Sequence, residues 1–125
     1  MTIHRAVPDL TSTDLARSRA FYGDLLGFEV GMDLGWVVNF VSPAQPSVQV
    51  IVLTEDRTAP VAPQMTIEVD DVDSLHERAV ELGYEIVHPL TDEPWGVRRF
   101  FVRDPDGHVV NVVTHAAAPG DPAAS

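Results

Sequence analysis

The stretch Leu26-Gly27-Phe28-Glu29-Val30 recurs 56 positions later as Leu82-Gly83-Tyr84-Glu85-Ile86. Each copy reads as a helix exit. The Leu closes an apolar stripe, the Gly supplies the left-handed residue that ends the helix, and an aromatic-acidic-aliphatic triplet starts a strand. Upstream, Asp14-Leu15 stands 13 residues before Gly27 and Asp71-Val72 stands 12 before Gly83, so each copy also carries a short helix of matching length. Two modules of about 56 residues therefore account for nearly the whole chain.

A lone module of that size buries too little apolar surface to be comfortably stable, so the halves should share one core. We expect a single domain over 1–115, with module one at 4–54, a charged, proline-bearing linker at 55–63 and module two at 64–115. The small-residue stretch 116–125 reads as a mobile tail. Composition is that of an ordinary soluble globule, 45% apolar and 22% charged, with no membrane-length apolar run and no signal-peptide pattern. This points to a cytoplasmic protein. Absence of cysteine excludes disulfides and thiolate metal sites. A net charge of −11 argues against nucleic acid and favours neutral or cationic small molecules.

Pattern and punctuation predict strands at 4–10, 28–33, 36–42, 47–54, 64–69, 84–88, 97–103 and 108–114. Pro8 lacks a ladder donor, which suits the first strand to an edge or to a strand end. Helices are predicted over 13–26, capped by Ser12 or Thr13 with Leu15, Tyr22, Leu25 and Leu26 inward, and over the stripe Val72, Leu75, Ala79 and Leu82. Strand, helix and three strands, repeated, define an α+β architecture.

With Asp14-Leu15-Ala16-Arg17-Ser18-Arg19-Ala20-Phe21-Tyr22 followed by Leu26-Gly27-Phe28, then Val69-Asp70-Asp71-Val72, and finally Phe101-Val102-Arg103-Asp104-Pro105-Asp106-Gly107, the chain resembles the vicinal oxygen chelate superfamily over residues 4–115. That superfamily includes glyoxalase I, extradiol dioxygenases and bleomycin-binding resistance proteins. The resemblance implies tandem βαβββ modules forming a curled mixed sheet with a concave cup, and usually a homodimer. It also implies four metal-ligand positions, which fall here on Val7, Val52, Gln64 and Asn111. Neither valine has a lone pair to offer a divalent cation, so we expect a metal-free cup and no cofactor. His4, His88, His108 and His115 offer an alternative donor set only if the fold gathers them; scattered surface histidines are the simpler account.

A four-residue turn at Asp104–Gly107 would pair Arg103 with His108 and set Phe100 opposite Asn111, placing both in the cup with Val102, Val109 and Val113. The row Gln64, Thr66 and Glu68 would share that side, with Glu68 a candidate general base. Pro94-Trp95-Gly96 resembles a stretch of the bleomycin-binding proteins. Trp95 at the rim, with Trp36 and Phe40 from the first module, would give flat surfaces for an aromatic or cationic ligand, and Arg98 is expected to point inward with Arg99 outward, unless both are solvated edge charges. The ligand-binding set expected is thus Trp36, Phe40, Val52, Gln64, Thr66, Glu68, Trp95, Arg98, Phe100 and Asn111. The function expected is sequestration of an antibiotic or natural product, with a lyase, isomerase or dioxygenase of the same superfamily as the alternative.

Overall fold

The structure, a computed structural model, describes residues 2–115; the expected tail at 116–125 lies outside the described residues. Eight strands form one sheet: β1 (Ile3–Thr11), β2 (Glu29–Asp33), β3 (Val37–Val41), β4 (Gln49–Leu53), β5 (Met65–Val69), β6 (Ile86–Glu93), β7 (Val97–Arg103) and β8 (Val109–His115). Their order is β2-β3-β4-β1-β5-β8-β7-β6. The repeat is visible in the pairing, because the first strand of each module runs parallel to its last, β1 with β4 and β5 with β8. An antiparallel pairing of β1 with β5 joins the modules within one chain.

This puts β1 in the middle of the sheet, which rules out the edge, one of the two positions suggested by Pro8. The strand tolerates the proline because it changes partners there. Ile3 to Pro8 pair with β5, whereas Asp9 to Thr11 pair with β4, so the missing N–H falls at the handover.

Both helix exits form as read: Gly27 and Gly83 have φ of 89° and 81°, the left-handed region where a side chain is strained. The helices themselves differ. Helix α1 (Leu15–Ser18) is capped by Asp14, rather than Ser12 or Thr13, through bonds from the Ala16 and Arg17 N–H groups. It passes directly into π-helical turns over Arg19–Leu25. Wide pairings such as Leu26 N–H to the Phe21 carbonyl carry more residues per turn. Leu25 and Leu26 therefore rotate outward to 68% and 54% exposure, and only Leu15 and Tyr22 pack on Val38, Phe40 and Val52. Helix α2 (Val72–Glu81) is capped by Asp71 and sets Val72, Leu75 and Ala79 on Phe100 and Val112, while Leu82 stays exposed.

The helices cover one face of the sheet. The other, concave face carries Val7, Trp36, Val37, Ile51 and Leu53 as its apolar floor.

Candidate functional site

Which side chains enter the concave face is decided by the loop between β7 and β8. Asp104 N–H bonds to the His108 carbonyl, Gly107 N–H to the Asp104 carbonyl, and the Asp104 carboxylate caps the Asp106 and His108 N–H groups. Gly107 takes φ 92°. The connection thus spans five residues, and Arg103 pairs with Val109 instead of His108. A one-residue slip turns a strand over. Phe100 and Val102 pack beneath α2, while Arg99 and Phe101 face the concavity. Arg98 points to the helix side, bridging Asp73 and Asp92, and its guanidinium holds the Asp73 carboxyl below the usual range.

Two further expected positions move for the same alternation. Phe40 and Val52 lie under α1 against Tyr22, because in β3 and β4 it is Val37, Asn39, Ile51 and Leu53 that look inward. Gln64 precedes β5 and is exposed, its Oε1 accepting from the Val109 N–H. Trp36, Thr66, Trp95 and Asn111 do converge on one cavity. Glu68 sits on the concave side away from that cavity, with Oε1 accepting from Arg5 Nε at 2.9 Å and Oε2 against His115 Nδ1. Both oxygens being engaged, it has the ties of a structural carboxylate.

The cavity measures about 40 Å³. Its polar wall is a relay: Asn111 Nδ2 donates to Thr66 Oγ1 at 3.2 Å, and Thr66 donates to Asp9 Oδ2 at 2.7 Å. Asp9 Oδ1 and Asn111 Oδ1 have no protein partner. Burial pushes the Asp9 carboxyl up to about 7, against the opposing pull of the Thr66 hydrogen bond and the Arg5 and Arg99 charges. Across the cavity Arg99 donates Nε to Glu93 at 2.6 Å and both Nη groups to Asp56, each at 3.0 Å. Its guanidinium lies between the rings of Trp95 and Phe101, 5.0 and 4.7 Å from their centroids. Buried His88 reaches Glu93 at 3.3 Å.

Trp36 and Trp95 meet edge to face, with ring centroids 5.6 Å apart, and line both this cavity and a wider crevice of about 340 Å³ outside it. The segment between the modules closes one side, contributing Asp56 and Pro63 to the cavity and Thr58 to the crevice.

Sequence reading missed Asp9, Asp56, Glu93 and Arg99. For Asp9 the signal was present: once Val7 is placed inward, the residue two further on shares its face. Asp56 and Glu93 looked like solvated charges, and only the fold pairs them with Arg99.

The four metal positions do not fit a divalent ion. Val7 offers hydrocarbon and Val52 faces the helix, while the Gln64 amide is bound to backbone and Asn111 donates to Thr66. Among the described residues no group of three or more His, Asp or Glu is arranged to hold a metal.

The two βαβββ halves and the concave face between them define the class. The chain belongs to the glyoxalase/bleomycin resistance protein/dioxygenase superfamily, whose family model matches residues 2–112. A superfamily member from Vibrio splendidus is similar, with 24% identity and TM-score 0.66 over 90% of this chain and 99% of that one. An uncharacterized protein from Methanosarcina mazei is 28% identical, with TM-score 0.61 over 92% of this chain and 94% of its own. A mutant of homoprotocatechuate 2,3-dioxygenase from Brevibacterium fuscum aligns at 24% identity and TM-score 0.69 over 92% of this chain and 33% of its own. This chain thus spans a third of the dioxygenase's length, and the likeness is one of fold. No curated protein matches the chain.

Proposed function

We propose that this protein is a metal-free small-molecule binder that sequesters an aromatic or cationic antibiotic or natural product. One observation carries the reading: Trp36 and Trp95 form an aromatic mouth that opens outward on a crevice and inward on a mostly apolar cavity with one polar wall. Such a site offers a flat ligand one ring to stack on, a second ring set nearly at right angles to it, and a closed end to aim at. The net charge of −11 adds a field that draws in cations. The binder needs no cofactor, and we place it in the cytoplasm; among the described residues no helix is long and apolar enough to cross a membrane. A homodimer is part of the same proposal, through the outer face of β1 and β5, where Leu10 and Met65 are 42% and 43% exposed. Light scattering should return twice the chain mass.

Titration calorimetry against bleomycin-type, quinone and peptide antibiotics tests the function. Binding should quench tryptophan fluorescence, and Trp95→Ala should weaken it by roughly 0.5–1.5 kcal/mol beyond the lost contact area. If no flat or basic compound in the panel binds, the proposal falls.

A second reading is favoured by Asp9. A carboxyl that titrates near neutrality beside a cavity is suited to proton transfer, as a metal-independent lyase or isomerase requires. Conversion of the bound compound, lost in Asp9→Asn with binding retained, would establish it over the binder.

A further inference from the structure

Hydrogen-bonding capacity in the inner cavity is one-sided. The donor nitrogens of Arg99 and Asn111 already have protein acceptors: Glu93 and Asp56 for the guanidinium, and Thr66 for the amide. Two acceptors, Asp9 Oδ1 and Asn111 Oδ1, have no protein donor, although their residues are only 5% and 8% exposed. Buried acceptors left in this state are rare and costly. A single hydroxyl, that of Thr66, links the two side chains, so both open oxygens belong to one patch.

We infer that the inner cavity receives the primary ammonium group of an arylalkylamine, whose N–H groups donate to Asp9 Oδ1 and Asn111 Oδ1 while its ring lies against Trp36 and Trp95. This rests on the small-molecule-binding function above and adds the chemical class of the ligand. An ammonium brings three donors and no acceptor, the complement of what the cavity leaves open. Size narrows the choice further. One water needs about 10–15 Å³ in this measure, so a cavity of about 40 Å³ has room for about three water-sized groups, which accommodates a primary ammonium and its carbon and disfavours the four heavy atoms of a trimethylammonium. Anions are disfavoured, because Asp9 and Asp56 both line the wall and Arg99 is already neutralised by Asp56 and Glu93.

Proton linkage gives the proposal a second signature. The charges facing Asp9 are Arg5 on its own strand, Asp56 on the inter-module segment and Arg99 on β7; Thr66 and Asn111, from β5 and β8, are neutral. The Asp9 carboxyl titrates at about 7, and an ammonium pairs only with its ionised form. Amine affinity should therefore rise with pH through that value and level off above it, as long as the amine itself stays protonated.

The test compares benzylamine, benzyl alcohol and benzyltrimethylammonium by calorimetry and tryptophan quenching with the full chain at pH 6 and pH 8. Benzylamine is expected to bind at least tenfold tighter than either analogue at pH 8, and to gain several-fold from pH 6 to pH 8 while the alcohol does not change. Asp9→Asn should abolish the preference, and Asn111→Leu should reduce it with the ring still bound. Equal binding of all three probes, or an amine preference that survives Asp9→Asn and ignores pH, would overturn the inference, assigning the open oxygens to water and leaving the binder function standing. Binding of none of the three would also overturn the inference, and the antibiotic panel above then decides separately whether the binder function stands. The wild-type pH comparison keeps the question decidable even if a variant fails to fold.

Discussion

At 5% exposure the Asp9 carboxyl gives up most of its hydration and recovers one hydrogen bond, from Thr66. An acid whose folded pKa lies near 7 and whose unfolded value lies near 3.8 binds more protons folded than unfolded between those limits. The stability it supports is complete below about 3.8 and declines as pH rises to about 7. Over pH 5 to 8 this amounts to about 2–3 kcal/mol lost. Asp9→Asn should cancel that loss, so urea unfolding at the two pH values should show the variant gaining on wild type as pH rises. Arg99 and its neighbour Arg98 make a second contrast. Arg99→Ala strands Asp56 and Glu93 as buried, uncompensated carboxylates and should cost roughly 3–5 kcal/mol. Arg98→Ala breaks only solvent-exposed pairs with Asp73 and Asp92 and should leave the urea midpoint close to that of wild type by the same measurement.

Strands and helices show where periodicity is legible and where it is not. Most strand and helix positions follow from alternation, caps and glycines, because each of those signals is local, but β6 runs from Ile86 to Glu93 where the pattern predicts a strand only over 84–88. Facing does not follow for β7, since it depends on whether the Asp104 loop counts four residues or five, and hydrogen bonds to the Asp104 carboxylate settle that. The π-helical turns after α1 have the same effect on Leu25 and Leu26: their spacing fits an α-helical stripe, and a wider turn moves them out. Gly107 is the residue that permits the five-residue connection, and at φ 92° a Cβ is strained even with open space around it. Gly107→Ala should therefore cost about 1–2 kcal/mol in urea unfolding. A change near zero would mean that the loop relaxes to another turn.

In the molecule as a whole, the duplicated junction made the fold readable and left the contents of its concavity obscure. Internal repetition reports architecture, because two copies must bury one shared face. The polar relay from Asn111 through Thr66 to Asp9 and the Asp56–Arg99–Glu93 cluster draw on five strands and the inter-module segment, which no local pattern connects. Their assembly also means that neither half is self-sufficient. A fragment of residues 64–115 would expose the β5 edge that β1 covers, and should show coil-like circular dichroism. The strand that bridges the two halves, β1, comes before every other described element in the chain and is the seam of the sheet. Trimming residues 3–11 would therefore be felt at the centre rather than at a margin. It would part the protein into a three-stranded and a four-stranded remnant, and take the Asp9 end of the cavity with it.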